Sequence, residues 1–172
     1  MPVCVPRLEA VGVVLRQLEV KDAAALFPAY AEESERPRST APHKNVSQTE
    51  AHIKAMLERP GAHVWAVTED GDEAFGRVAL YVYREGVGEF GVLLRREAQG
   101  RGLASKAVEL VSDYGFAQLG LHRLMADIDP DNSPSLTLFI RNGFAREGVL
   151  KQNWKTRAGL RDSVIMAKLK GA

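Results

Sequence analysis

The stretch Gln99-Gly100-Arg101-Gly102-Leu103-Ala104 links a predicted strand, 89–94, to a predicted helix that begins near Leu103. The first N–H groups of a helix have no partner within the helix, and the helix dipole adds positive charge there. The two glycines keep side chains away from those groups, so an anion can approach the backbone. The turn therefore predicts a site for a nucleotide-like ligand that carries a pyrophosphate.

Two common phosphate motifs do not match this turn. The dinucleotide fingerprint needs a third glycine where the chain has Ser105, and Lys106 is misplaced for a P-loop. The alternative to a ligand site is a strand-to-helix turn that needs glycine only for its dihedral angles. The turn by itself does not separate these two interpretations.

Composition is typical of a globular protein with one domain over residues 1–172. Of the 172 residues, 45% are hydrophobic and 26% are charged, and the formal net charge is +1. The charge gives no sign of a nucleic-acid partner, and no apolar run has the length of a membrane span. Cys4 is the single cysteine, so an internal disulfide is excluded. We expect a cytoplasmic protein that binds neither nucleic acid nor membrane.

Periodicity predicts an α+β layout, a mixed central sheet of about seven strands flanked by four helices. A capping box, Ser47-Gln48-Thr49-Glu50, is expected to begin the second helix. The predicted strands cover 11–18, 64–68, 74–83, 89–94, 124–129, 148–154 and 163–168, and the predicted helices begin near 22, 47, 103 and 133.

A second motif lies downstream of the glycine turn. It is Asp129-Pro130-Asp131-Asn132-Ser133-Pro134-Ser135, followed by Phe139 and by Asn142-Gly143-Phe144. The two motifs, in this order and spacing, resemble the GNAT acyltransferase superfamily and, within it, the RimJ/RimL-like branch of N-acetyltransferases. The resemblance spans most of the chain and is strongest over 89–148. It implies the GNAT fold for this chain.

The resemblance also implies acetyl-CoA as donor and a primary amine as acceptor, with direct transfer and no metal. Strand 92–94 would pair with the pantetheine arm, the turn would hold the pyrophosphate, and Asn132 would bond to the arm. Arg101 or Lys106 would add positive charge at the pyrophosphate. Strands 89–94 and 124–129 would diverge to open the cleft. The implied cofactor-binding residues are Val92, Leu93, Leu94, Gln99, Gly100, Arg101, Gly102, Leu103, Ala104, Ser105, Asn132 and Phe139.

The catalytic candidates are Glu89 and Ser135. An amine must lose a proton before it attacks a thioester, and Glu89 matches a glutamate common at this place in related enzymes. Its alternative is an exposed carboxylate with no role. Ser135 is the candidate hydroxyl near the leaving thiolate, or a serine that satisfies its own helix end. Many GNAT enzymes carry a tyrosine acid where this chain has Phe139, so a dedicated acid is left open.

Three residues are candidates for acceptor binding: His43, Trp154 and Asp162. His43 lies in loop 32–45, which walls the acceptor site in this family, although a solvated residue is the alternative. Trp154 is expected at the acceptor channel, and Asp162 either orients the acceptor or holds the C-terminal hairpin. The acidic segment 32–35 is suited to a cationic amine, but a solvated charged loop is the alternative.

The RimJ/RimL-like resemblance favours the N-terminal amine of a protein or peptide as acceptor. A small-molecule amine, such as an antibiotic, a polyamine or an amino-acid-like compound, is the alternative within the enzyme class. A CoA-binding module without catalysis is the alternative outside it. The oligomeric state, including a homodimer, is left open.

Overall fold

A computed structural model describes residues 1–32 and 41–172, and eight strands and four α-helices lie within them. The strands are β1 (Leu8–Ala10), β2 (Val13–Gln17), β3 (Ala62–Thr68), β4 (Gly76–Arg84), β5 (Val87–Leu94), β6 (Arg123–Ile128), β7 (Ala145–Thr156) and β8 (Gly159–Leu169). The helices are α1 (Ala23–Ala31), α2 (Val46–Leu57), α3 (Leu103–Ala117) and α4 (Ser133–Arg141). The predicted α+β class is confirmed.

The strands form one mixed sheet in the order β1-β2-β3-β4-β5-β6-β8-β7. Strands β5 and β6 are parallel and are connected by α3, whereas the other neighbouring strands are antiparallel. The parallel pairing ends where Glu89 lies opposite Met125. Beyond this point β5 stays paired with β4, and β6 stays paired with β8. The two parallel strands therefore part at the middle of the sheet.

Each face of the sheet packs against a different pair of helices. Phe90 and Leu94 of β5 belong to the core shared with α3 and α4, whereas Leu93 belongs to the core shared with α1 and α2. Successive strand residues point to opposite faces, so the sequence of β5 contributes to both cores. Trp65 is fully buried, and its indole N–H donates to the carbonyl of Pro6 at 2.8 Å.

Two local predictions were wrong at the N-terminal side of the fold. The predicted strand 11–18 is shorter, because Gly12, with φ of 76°, turns the chain between β1 and β2. Helix α2 begins before Ser47, since Asn45 adopts an extended conformation and its Oδ1 accepts the N–H of Gln48 at 2.9 Å. Asn45 is therefore the N-cap, and the expected capping box at Ser47 does not form.

Among the described helices, none is both long enough and apolar enough to span a membrane.

Candidate active site

A cleft of about 820 Å³ opens beside β5, between the first turn of α3 and the length of α4. The cleft is lined by Val92, Leu93, Leu94, Gln99, Gly100, Gly102, Leu103, Ala104, Ser105, Asp131, Asn132, Ser133, Pro134, Ser135, Thr137, Leu138 and Arg141. All predicted cofactor-binding residues except Arg101 and Phe139 are in this set. The structure thus brings the two sequence motifs together at one cleft.

The glycine turn presents bare backbone to this cleft. Gly100 and Gly102 have φ of 75° and 78°, a left-handed conformation that favours glycine. A Cβ atom built on either residue would meet no other atom within 4 Å. The turn therefore needs glycine for its dihedral angles, and it also leaves open space beside the unpaired N–H groups of α3. The two interpretations of the turn are compatible.

The N-terminus of α4 faces the same cleft. Asn132 is the N-cap, and its Oδ1 accepts the backbone N–H of Ser135 at 3.2 Å. At the other end of α4, Asn142 donates from Nδ2 to Ser105 Oγ at 3.1 Å and so connects α4 to the first turn of α3. Two helix N-termini, each with partial positive charge, thus converge on one cleft, an arrangement that favours an anionic ligand.

The two cations that were expected near the pyrophosphate have other partners. Arg101 forms an ion pair with Glu69 and lies over the ring of Phe75, with the guanidinium carbon 5.4 Å from the ring centre. Lys106 donates to the carbonyl of Val11. Neither residue lines the cleft.

Arg141 is the cationic residue that lines the cleft within the described part of the chain. Arg141 was not among the predicted site residues, although the helical spacing was a usable signal. Pro134, Leu138 and Arg141 are three or four residues apart in turn and so share one face of α4.

Phe139 lies on the other side of α4 and belongs to the core. It is 3% exposed, and its ring packs edge-on against Phe90 and Phe144 at centroid distances of 5.7 and 5.0 Å. Because this aromatic cluster fills the space between β5 and α4, we assign Phe139 to the core rather than to cofactor binding.

Glu89 lies on the sheet face opposite the cleft. Neighbouring residues of a strand point to opposite faces, and Phe90 faces α3 and α4, so Glu89 faces the other way. Glu89 is half-buried and lies opposite Met125, in the last residue pair that joins β5 to β6. Burial raises the pKa of the nearby Tyr83 phenol. The positive charge of Arg59 lowers this pKa, whereas the negative charge of Glu89 raises it further. The carboxylate of Glu89 therefore lies beside the point where the strands part, close to Tyr83.

Aromatic side chains cover this face of the sheet near Glu89. The rings of Tyr81 and Tyr83 stack at 5.8 Å with an interplanar angle of 4°. The guanidinium carbon of Arg59 lies 5.0 and 4.9 Å from their ring centres. Arg59, Tyr81 and Tyr83 were not among the predicted site residues. The signal for the two tyrosines was the period-two pattern of β4, in which Arg77, Tyr81 and Tyr83 alternate with aliphatic residues.

His43 belongs to a cluster between α1 and α2. Its ring stacks on the buried Tyr30 at 4.9 Å, and its Nδ1 lies 2.9 Å from Thr49 Oγ1. It is therefore packed rather than solvated, and Tyr30 connects it to the sheet, because Tyr30 Oη accepts the Nε–H of Arg77 at 2.9 Å. Of the predicted acidic segment, Glu32 pairs with Arg96 at 2.7 Å, and 33–35 lie outside the described residues.

The C-terminal hairpin places Trp154 over β6. Trp154 is 40% exposed, and its Nε1–H donates to Asp127 Oδ2 at 2.9 Å. Asp127 alternates with core residues of β6 and so shares the face of Glu89. A bulge between Leu150 and Trp154 offsets the two hairpin strands just before the indole.

Asp162 holds that bulge together. Gln152 has φ of 50°, and its N–H donates to Asp162 Oδ1 at 2.8 Å, while Lys151 Nζ lies 3.0 Å from Oδ2. The bond from Gln152, followed by that from Lys151, lowers the pKa of the Asp162 carboxyl. These contacts match the hairpin-holding alternative for Asp162.

Arg161 and Asp129 connect the hairpin to the loop before α4. Asp129 is 3% exposed, and Arg161 donates to it from Nε at 3.0 Å and from Nη2 at 2.7 Å. Asp129 also accepts the N–H of Asp131 at 2.9 Å. This bidentate pair fixes the chain just before Asn132, at one wall of the cleft.

We expect Arg161→Met to lower the melting temperature by roughly 5–10 °C, because it leaves the buried Asp129 carboxylate without its cationic partner. Lys151→Met is the matched control, since it removes an exposed ion pair on the same hairpin, and we expect it to shift the melting temperature by roughly 2 °C or less. Thermal unfolding of the three proteins measures both effects. Equal melting temperatures for the two variants would contradict the structural role of Arg161.

Within residues 1–32 and 41–172, no group of three or more His, Cys, Asp or Glu side chains is arranged to hold a metal ion.

Residues 13–145 match a family model described as an acetyltransferase (GNAT) domain. An uncharacterized N-acetyltransferase, p20 of Bacillus licheniformis, is 31% identical over 163 residues, which cover 91% of this chain and 92% of p20. The spermidine N(1)-acetyltransferase of Escherichia coli K12 is 33% identical over 119 residues, which cover 67% of this chain and 60% of that enzyme.

The fold is similar to that of Mycobacterium smegmatis RimJ in complex with CoA-disulfide. The TM-score is 0.79 at 22% identity, and the match covers 98% of this chain and 88% of RimJ.

Proposed function

This chain belongs to the GNAT acetyltransferase family, and on that premise we propose that it acetylates the N-terminal amine of a protein or peptide. It is an N-acetyltransferase, and acetyl-CoA is the donor, as in the family. The observation that supports the proposal is the parting of β5 and β6. The cleft lies on one face of the sheet at this point, and Glu89 lies on the other face. Donor and acceptor can then approach the same gap from opposite faces of the sheet.

The cleft has the features that the donor requires. Its volume of about 820 Å³ lies within the range of small-molecule sites. Gly100 and Gly102 leave room for the pyrophosphate at the N-terminus of α3, and Arg141 supplies a positive charge. Beyond Glu89, no strand of residues 1–32 or 41–172 pairs with β5 on the side of β6, so the backbone of β5 can pair with the amide groups of the pantetheine arm.

On the side of the sheet where the acceptor would bind, Glu89 is the proposed base, and the opening between β5 and β6 lets the acceptor amine reach the donor. Acetyl-CoA supplies the activated acetyl group as a thioester. We assign Glu89 to accept the proton of the acceptor amine, directly or through water, so that the nitrogen can form the new C–N bond as the C–S bond breaks. The N–H of Val92 is the proposed donor to the oxyanion, and the Ser135 hydroxyl is the proposed donor to the thiolate.

A small cationic amine is the second candidate acceptor. We call the sheet face opposite the cleft the acceptor face. Glu89 and Asp127 place acidic groups on this face, and Tyr81 and Tyr83 add aromatic rings that attract cations. The likeness to spermidine N(1)-acetyltransferase supports the same alternative. A module that binds CoA without catalysis is the third interpretation, and cytoplasmic location and homodimer formation stay predictions.

An acceptor screen separates these candidates. We expect purified protein with acetyl-CoA to release free CoA thiol when supplied with short peptides that have a free N-terminus, and to release less with polyamines or aminoglycosides. The same peptides with a blocked N-terminus are the matched control and should be inactive. Release with polyamines alone would overturn the N-terminal assignment, and binding of acetyl-CoA without release to any amine would indicate the non-catalytic module.

A further inference from the structure

Arg77 presents an unpaired cationic N–H on the acceptor face of the sheet. Its Nε–H donates to Tyr30 Oη at 2.9 Å, which fixes the plane of the guanidinium. Its Nη1 is buried and has no hydrogen-bond partner among the described residues. A guanidinium is always charged in proteins and can only donate, so Nη1 is suited to an oxygen acceptor.

Gly91 makes room for this guanidinium on β5. A Cβ atom at Gly91 would lie 3.2 Å from Arg77 Nη1 and 3.2 Å from Tyr81 Cε2. The guanidinium and the ring of Tyr81 therefore flank the strip of β5 that passes through Gly91. Glu89 lies two residues earlier on the same face, which is about 7 Å along a strand. The proposed base and the unpaired N–H thus belong to neighbouring positions on one face of the sheet, next to the parting of β5 and β6.

We propose that Arg77 is a specificity-determining residue that binds the oxygen of a carbonyl or carboxylate group beside the acceptor amine. The inference rests on the proposed function and names the residue by which that site would recognise an α-amino compound, of which a peptide N-terminus is one. In such a compound the nitrogen and the oxygen are about 3 Å apart, because three bonds separate them. With a hydrogen bond of about 3 Å at each end, from the amine to Glu89 and from Arg77 Nη1 to the oxygen, such a group is long enough to bridge the spacing of about 7 Å between positions 89 and 91.

The same geometry disfavours polyamines. A polyamine has no oxygen for Nη1, and it would bring a second positive charge close to the guanidinium, where like charges repel. Aromatic rings and carboxylates on this face attract any cation. Arg77 adds the element that distinguishes an α-amine with a neighbouring carbonyl from a bare amine.

The test uses three matched acceptors: leucinamide, leucine and isoamylamine, which is leucine without its carboxyl group. We expect wild-type kcat/KM for leucinamide or leucine to exceed that for isoamylamine by roughly 100-fold, because the analogue without an oxygen lacks a hydrogen bond from a charged donor. Arg77→Met should bring this ratio close to one, with the change mainly in KM. Arg84→Met, at the exposed end of the same strand, is the control and should keep the wild-type ratio.

A second variant tests the role of Arg77 even if Arg77→Met does not fold. Tyr30→Phe keeps the buried ring but removes the oxygen that holds Arg77 Nε, and we expect a smaller fall of the same ratio. A wild-type ratio near one would overturn the role of Arg77, and so would an Arg77→Met variant that loses all three activities equally. That second result would indicate a structural or oxyanion-stabilising role.

Calorimetry separates this inference from the proposed function. We expect the protein with bound CoA to bind leucinamide at least tenfold more tightly than isoamylamine. Preferential binding without acetyl transfer would overturn the proposed function and leave the role of Arg77 supported. Acetyl transfer without this preference would overturn the role of Arg77 alone, and a protein that shows neither would overturn both.

Discussion

Replacing Ala104 with glutamate is expected to abolish the stabilisation of this protein by acetyl-CoA. Ala104 is the second residue of α3 and lines the cleft beside the glycine turn. A carboxylate there would occupy the proposed pyrophosphate site and repel its negative charge. The unliganded fold should tolerate the change, because a negative charge in the first turn of a helix is favourable. Gly102 is less suitable, since its φ of 78° would add backbone strain to any substitution.

Thermal unfolding with and without acetyl-CoA measures this effect. At a ligand concentration 100 times Kd, binding to the native state stabilises it by about 2.7 kcal/mol, which for this size is roughly 5–10 °C. We expect the wild type and Gln118→Glu, which adds one negative charge just beyond the other end of α3, to show this shift. A wild-type shift in Ala104→Glu would contradict the assignment of the pyrophosphate site to this turn.

The second large effect is expected for Glu89→Gln. The amide is nearly the same size as the carboxylate but does not accept a proton at neutral pH, so kcat should fall by roughly 10²–10⁴-fold. The defect should shrink as pH rises, because a larger fraction of the acceptor amine is then already neutral. The stabilisation by acetyl-CoA should persist, since Glu89 lies on the sheet face opposite the cleft.

A pH series of kcat for the wild type and the variant checks this role. Glu85→Gln is the matched control, because Glu85 is exposed in the turn before β5 and does not line the cleft. It should keep the wild-type kcat over the whole pH range. Wild-type turnover in Glu89→Gln at neutral pH, or a defect that does not change with pH, would exclude Glu89 as the base.

The parts of the site that depend on local sequence were predicted well. Gly100 and Gly102 form a turn with left-handed dihedral angles, and α4 begins at Ser133, where a helix start was predicted. Both features arise from interactions within a few residues, so their pattern is visible in the chain. The parting of β5 and β6 was expected from the family resemblance, and the pairing shows that it begins after Glu89 and Met125.

Side chains whose role depends on distant partners were not predicted. The sequence shows that Arg101 is next to the turn, but not that Glu69 and Phe75 hold it elsewhere. Phe139 has the right spacing from Asn132, yet its position on α4 directs it into an aromatic core. Both outcomes depend on packing between elements that are far apart in sequence.

The acceptor face was the hardest part to anticipate. Tyr30 comes from α1, Arg77 from β4, Glu89 from β5 and Trp154 from the C-terminal hairpin, and no short motif connects them. The sheet order and the packing of α1 against the sheet bring these elements together. Period-two alternation in β4 was the one usable signal, because it assigns Arg77 and Tyr81 to the same face.

The central claim is that acetyl transfer to an α-amine takes place where β5 and β6 part. Mass spectrometry of a peptide incubated with acetyl-CoA and the protein tests it most directly. We predict a single acetyl group on the N-terminal nitrogen with the wild type, much slower acetylation with Glu89→Gln, and none with Ala104→Glu at acetyl-CoA concentrations that saturate the wild type. Wild-type protein that binds acetyl-CoA but leaves the N-terminus of every peptide unmodified, or equal rates for all three proteins, would contradict the account.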